Sequence, residues 1–545
     1  MMKESYVAMA KESMMANWDH TAFSDYNGIS YTYAEVANHI YYLHNLYKRL
    51  GIREGDKIAI YGKNSSHWAI SYLSIITYRA VVVPILPNFT ANELHHLVNH
   101  SESILLYASD SLWEEVDPSV MPGLRAAISL EDFSPKFTRS NDDADLIVRF
   151  NALRNNTPDK SKITCTPPPN TNLFAIIYTS GTTGFSKGVM LTHNSITANI
   201  VYARTHMPLK AGDKILSFLP LAHAYGCAIE FLYPFTLGCH ITFLGKAPSP
   251  QVLIKAFGEI KPRLILSVPL ILEKIYKSRL KPVLQERKVR LMMSVPVLEK
   301  VVQKKLREKL MDVFGGNFIE LVIGGAALNE EVQIFLRKIK FPFTVGYGMT
   351  ECGPLISYAP WYENRLNSAG RCVDTLEIKI DSERPETEAG EILVRGENVM
   401  IGYYKNEEAT RNAIDEEGWL HTGDLATMDR DGFIYIKGRT KSMILGPSGQ
   451  NIYPEEIESL INNWPYVLES LVVERKNQLV ALICPDLEAM DKDKIKESEL
   501  SAIFNKFREE MNQRIPNYMN VARIEIYQGE FEKTPKRSIK RFLYQ

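Results

Sequence analysis

Cysteine is scarce in this sequence and never paired. Six residues, Cys165, Cys227, Cys239, Cys352, Cys372 and Cys484, are scattered over 545 positions. They make no C-x-x-C pair and no Cys/His ligand spacing, which argues against a disulfide framework and against a zinc centre. Such usage fits reduced thiols, and a cytoplasmic location is the expectation. Long apolar runs are missing too. The N-terminal "MMKESYVAMAKESMMANWDH" lacks the apolar core of a signal peptide. The most apolar stretch, "WAISYLSIITYRAVVVPIL", is broken by Ser, Tyr and Arg before it could span a bilayer. Membrane insertion is thus argued against, while peripheral contact with an inner membrane face stays open. Nor is there a surplus of one charge: 63 Lys plus Arg against 64 Asp plus Glu leave a net charge of -1. No overall basic field is available for nucleic acid.

What is present is an ordinary globular composition, 45% hydrophobic and 23% charged. The chain is too long for a single core and should divide into several domains. β-branched runs alternate with helical patterns: "DKIAIYG", "AVVVPIL" and "SILLYAS" read as strands, "HWAISYLSIITY" and "ANELHHLVNH" as helices. This is the pattern of a mostly parallel, doubly wound α/β sheet. It resumes at "LFAIIYTS", "DKILSFLP", "CHITFLG" and "LILSVP", which are expected to form a second sheet of the same kind. After Gly370 the runs shorten to "LEIKI", "GEILVRG" and "GFIYIKG", the mark of a small antiparallel β-barrel or sheet. The expected division is residues 1–437 as an N-terminal part and 438–545 as a small α+β domain. The latter carries a hairpin, "ESLVVERKNQLVALICPD", and an amphipathic helix with Leu500, Ile503, Phe504, Phe507 and Met511 on one face.

The segment most informative about chemistry is "YTSGTTGFSKGVMLTH", Tyr178 to His193. A buried strand runs into a loop of Thr179, Ser180, Gly181, Thr182, Thr183 and Gly184, with Lys187 just beyond. Glycines allow close backbone approach, consecutive amides can form an anion-binding nest, hydroxyls add neutral donors and the lysine adds charge. A polyphosphate fits all of these. The plain alternative, a flexible Gly/Ser linker, does not suit a loop fed directly by a strand. A Walker A loop needs Gly before Lys and a helix after it; here Ser186 precedes Lys187 and a strand pattern follows.

The residues "YTSGTTGFSKGV" resemble the phosphate-binding signature of the acyl-adenylate-forming, AMP-binding enzymes. "LPLAHAYG" (219–226), "YGMTECGP" (347–354), "HTGD" (421–424), "GRTKSMI" (438–444) and "NIYPEEIE" (451–458) follow in that superfamily's order and approximate spacing. Within it, "AYGCAIEFLYPFTLGCHITFLG" and "RLILSVPLILEKIYK" are most similar to long-chain fatty acyl-CoA synthetases.

This resemblance implies ATP-dependent activation of a fatty acid as acyl-AMP, then transfer to coenzyme A, with release of pyrophosphate and AMP. It implies that Thr179 to Gly184 and Lys187 hold the β/γ-phosphates, that Glu351 ligates Mg²⁺, and that Thr350 donates to the α-phosphate. Tyr347 and Gly348, with Gly325 and Ala326 of "IGGAAL", would lie at the adenine. Asp424 would accept both ribose hydroxyls and Arg439 would add a ribose or phosphate contact. His223 would stand between the carboxylate and the acyl pocket. Each residue also has an ordinary reading: a packed aromatic, a turn aspartate, a surface arginine, a structural histidine.

The resemblance further implies a C-terminal domain that rotates about Lys441 between the two half-reactions, with Gly449 beside a pantetheine channel. The end of the chain departs from the superfamily pattern. "KTPKRSIKRFLYQ" places Ser538 where an adenylation lysine is expected, with Lys536 as the substitute favoured here and Lys540 as the other neighbour. The plain alternative is a solvated basic tail. Two other functions stay open at this point: transfer to an acyl carrier protein, and nucleotide and acyl binding without catalysis.

Overall fold

A computed structural model describes residues 1–154, 156–179, 186–445, 450–476, 478–533 and 539–544. The first βαβ units build a sheet of eight strands. Its middle is parallel, with Leu173–Thr179, Val81–Ile85, Lys57–Tyr61, Ser103–Ala108 and Ala126–Ser129 side by side in that order. Antiparallel strands flank it: Pro135–Thr138 on one side, Lys187–Thr192 and then Gly402–Tyr403 on the other. Val81–Ile85 is buried at every position, as a central strand covered on both faces must be. The helices begin where the sequence supplies caps. Thr32 with Glu35, and Thr90 with Glu93, form reciprocal capping boxes on Tyr33–Arg49 and Ala91–Ser101.

The expected second sheet is not a single sheet. Leu173–Thr179 belongs to the eight-stranded sheet, because it lies between its hairpin partner Lys187–Thr192 and Val81–Ile85. Lys214–Ser217 and His240–Phe243 run parallel to each other and join Thr21–Asp25 and Ser30–Thr32. Leu264–Ser267, Glu320–Ile323 and Phe343–Val345 form a separate parallel sheet. The reason is physical: parallel strands need long crossovers, so the order along the chain does not name the neighbour in space.

An aromatic core welds these units. Phe23 lies 5.9, 5.4 and 5.5 Å from the rings of Phe231, Phe235 and Phe243, and Trp68 lies 6.2 Å from Phe231. All are fully buried, and tilted, stacked or edge-on rings at such spacing add to the area they bury.

The small β unit is a four-stranded antiparallel sheet of Leu376–Asp381, Gly390–Gly396, Leu420–Met428 and Ile434–Arg439. Beyond it, the hairpin Val467–Arg475/Gln478–Pro485 gains Val521–Ile526 as a parallel third strand. Helix Glu497–Asn512 buries Leu500, Phe504 and Met511 against this sheet, with Ile503 and Phe507 partly buried beside them. Cys372 is half-buried, the other five cysteines are buried, and none forms a disulfide. Among the described residues no helix is long and apolar enough to cross a membrane.

Candidate active site

Lys187 opens the strand Lys187–Thr192 and stands opposite Thr179, the last residue of the preceding strand. Next to them, Tyr403 pairs with Val189 at the sheet edge. The Lys187 Nζ lies 4.7 Å from the centre of the Tyr403 ring, a cation–π contact. The same tyrosine donates its hydroxyl to Glu351 Oε1 at 2.9 Å. Burial raises the Tyr403 phenol, and the charge of Glu351 raises it further, so it stays a donor at neutral pH. A base from the hairpin and an acid from a distant motif are thus gathered on one aromatic ring.

Glu351 is positioned by its backbone. It sits in the single 3₁₀ turn Thr350–Cys352, in which Thr350 is buried. Its carbonyl accepts the Met400 amide at 2.8 Å. Asn199, on the helix that follows the Lys187 strand, donates to the Cys352 carbonyl at 2.9 Å and accepts from the Leu355 amide at 2.8 Å. Gly348 is required here, since a Cβ would come within 2.1 Å of the Pro354 carbonyl oxygen.

Tyr347, three residues before Thr350, donates to Asp424 Oδ2 at 2.7 Å. Arg439 Nε, opposite Asp424 across the small sheet, lies 2.9 Å from Oδ1. Asp424 is 5% exposed. Burial raises its carboxyl above the usual range, against the pull of Arg439 and the Tyr347 hydroxyl. Each carboxylate oxygen can accept more than one bond, so both can still serve a diol. Arg439 leaves most of its side chain in solvent.

The segment Gly325–Ala326 follows strand Glu320–Ile323 and is exposed, with Gly325 in the left-handed region at φ +87°. Such loops at the carboxyl ends of parallel strands are where α/β sheets bind ligands. Tyr225 connects this segment to the His223 turn: its hydroxyl donates to the Val322 carbonyl at 3.2 Å, and its ring would lie 3.1 Å from a Cβ at position 324, a tight contact that glycine relieves. His223 itself is half-buried, its amide donating to the Pro220 carbonyl at 3.0 Å.

Two residues were missed by sequence reasoning. Tyr403 gave no signal, because its role comes from a strand crossing back to a distant sheet. Glu230 gave one, a lone acid in the apolar run "CAIEFLYPF". It is fully buried in the π-helical segment Gly226–Leu232, where irregular helix often marks a functional place. Its Oε2 accepts from Ser217 Oγ at 3.0 Å and from the amides of Phe218 and Leu219 at 3.1 Å. Burial lifts its carboxyl far above the usual range, and its bonds fix the Ser217–Leu219 stretch that leads into the His223 turn.

Ser180, Gly181, Thr182, Thr183, Gly184, Gly449, Lys536 and Ser538 lie outside the described residues. The described basic residues of the tail are not a solvated face. Lys533 pairs with Glu469 at 2.8 Å, Lys540 with Glu532 at 3.6 Å, and Arg541 with Glu458. Lys540, one of the two replacements considered for Ser538, is engaged within the C-terminal region here.

The AMP-binding enzyme family matches residues 11–404, well over half of the chain. This chain belongs to that family of enzymes. Among relatives of this AMP-binding enzyme, the long-chain-fatty-acid–CoA ligase FadD15 of Mycobacterium bovis is 30% identical over 498 residues, covering 84% of this chain and 78% of the relative. 4-Coumarate–CoA ligase 4 of Arabidopsis thaliana is 28% identical over 465 residues, 82% of this chain and 75% of its own. The fold is shared with ATP-bound MatB of Rhodopseudomonas palustris at a TM-score of 0.78, with 20% identity, covering 99% of this chain and 98% of that one. The protein is therefore an ATP-dependent, adenylate-forming ligase.

Glu351 offers one half-exposed carboxylate, steered by Tyr403, and no group of three or more His, Cys, Asp or Glu able to hold a metal occurs among the described residues. Mg²⁺ commonly takes one or two protein carboxylates and fills its shell with phosphate oxygens and water, so the residues present fit it.

Proposed function

We propose that this enzyme activates a fatty acid, of long chain, as acyl-AMP and transfers it to coenzyme A. The observation that supports this reading best is the meeting of Lys187 and Glu351 on Tyr403. An anionic carboxylate must approach a polyphosphate, and the barrier is lowered by positive charge and positioned donors. In this reading Lys187 and the 179–184 loop hold the terminal phosphates and Thr350 donates to the α-phosphate. Asp424 accepts the ribose hydroxyls, with Arg439 beside it, and Tyr347, Gly348, Gly325 and Ala326 border the adenine. His223 stands where the carboxylate enters. Mg²⁺, held by Glu351, would offset phosphate charge. The relative named for long-chain fatty acids favours that substrate class.

A panel of acids from acetate to oleate, read by AMP release with CoA, tests the proposal. A maximum at long chains supports it; a maximum at acetate or an aromatic acid overturns the substrate class. Replacing CoA by holo-acyl carrier protein in the same assay separates the two acceptors. Lys441→Ala should slow thioester formation more than adenylation, and equal slowing of both would argue against rotation at that residue.

A further inference from the structure

The charge of this chain is balanced overall but not in its distribution. Residues 274–309 hold twelve lysines and arginines against three glutamates, in a protein whose net charge is -1. This stretch is helical for most of its length, including Arg287–Met293 and Pro296–Val313. The second helix has a core stripe of its own: Val302, Leu306 and Leu310, spaced by four residues, are buried. Yet Leu291, Val295, Leu298 and Val301 are exposed, Leu291 to 71%. Single exposed apolar residues need no explanation, but four within eleven consecutive positions form a patch. Lys288, Lys300, Lys304 and Lys305 are exposed among them. Some of this charge is met locally: Lys281 pairs with Glu331 at 3.4 Å and Lys304 with Glu308 at 3.9 Å, while Glu299 of the same helix pairs with Lys338 at 2.8 Å. Lys288, Lys300 and Lys305 form none of the ion pairs found among the described residues.

We propose that the helices spanning 287–305 are a docking surface for an anionic lipid bilayer, with the lysines over headgroups and Leu291 and Leu298 inserted between them. Charge complementarity and apolar projections at one place are the two attractions that hold an interfacial helix. An acidic protein partner would use the lysines but not the protruding leucines, so the bilayer is favoured. The segment also leaves from the candidate active site. It follows strand Leu264–Ser267 through Val268, a side chain that would touch a Cβ on Gly325 at 3.9 Å. Docking there sets the nucleotide site close to the surface in which apolar acids dissolve. The proposal does not depend on the substrate reading, because lipid binding is measured without acid, ATP or CoA.

The test is co-sedimentation of the full chain with phosphatidylcholine vesicles with and without phosphatidylglycerol, at low and high salt. The wild type should bind only the anionic vesicles and release them at high salt. Lys288→Glu/Lys300→Glu/Lys305→Glu should lower the partition coefficient on the order of a hundredfold, and Leu291→Ser/Leu298→Ser about tenfold. Both variants should keep the wild-type melting curve and ATP–pyrophosphate exchange. Hydrogen exchange on the wild type gives a reading free of variants: amides in 287–305 should slow on vesicle binding. Absent binding, binding indifferent to lipid charge, or full binding by either variant would overturn the proposal. So would a wild-type dimer that Leu291→Ser/Leu298→Ser converts to monomer, or capture of an acidic carrier protein in place of vesicles.

Discussion

The site edge of the large sheet and the inner face of the C-terminal domain hold similar side chains in opposite circumstances. At the site, Glu351 meets a phenol and Lys187 meets an aromatic face; among the described residues neither forms an ion pair. In the C-terminal domain, Glu458, Glu469 and Glu532 are each matched by a basic residue of the tail. The difference teaches how to tell a charge held for a ligand from a charge that secures a fold. Glu351 and Lys187 are oriented by neutral groups and left uncompensated, whereas the charges of the tail, like Asp424 with Arg439, are neutralised on the spot.

The largest effect that would sharpen this comparison is Glu351→Gln. It removes a charge held by a neutral phenol and by no ion pair among the described residues, so ATP–pyrophosphate exchange should fall on the order of a thousandfold while the melting temperature stays within a few degrees. Near-normal exchange would break the assignment. Arg541→Ala should do the reverse. It leaves buried Glu458 without its cation, and urea unfolding should show a loss of about 3 kcal/mol. A loss too small to measure would make that pair ornamental.

Glu320 supplies an acid of a third kind, buried in the wall with the Tyr358 hydroxyl and the Trp361 amide as donors. Burial pushes its carboxyl up to about 7 from the usual 4.5. In the folded state it therefore holds a proton that the unfolded chain has released. Its stabilising contribution is present in full below about pH 4.5 and is lost as pH rises towards 7. Glu320→Gln should flatten that part of the stability profile, which spans ~3 kcal/mol. A slope unchanged in the variant would assign the dependence to other groups. The smallest effect is expected of Tyr403→Phe. The cation–π face remains and one hydrogen bond to a carboxylate is lost, so exchange should slow about tenfold. If it matched Glu351→Gln, the hydroxyl would be acting on more than orientation.

Residue identity was legible in the sequence wherever the residues needed for one task are contiguous. The strand, hydroxyl loop and lysine around Thr179 and Lys187 are a short run whose composition already states a chemistry, whereas Tyr347, Thr350, Glu351, Asp424 and Arg439 stand out only through the family resemblance. Assembly was less legible. Leu173–Thr179 was placed in the wrong sheet because a parallel neighbour is chosen by packing rather than by adjacency. Tyr403 could not be found, since nothing around it shows that its strand returns to pair with Val189. Glu230 showed only as an anomaly, and burial had to be known before it could be read as a brace. The tail looked like a run of solvated charge because two of the acids that pair with it, Glu458 and Glu469, come from other elements.

The pairing of Gly402–Tyr403 with Lys187–Thr192 reaches beyond orientation. The chain is clamped to the large sheet before it enters the last strands of the small one and passes Arg439. Whatever swing the polypeptide makes downstream of that arginine, the grip formed by the hairpin lysine, its tyrosine cradle and the opposing glutamate travels with the stationary body.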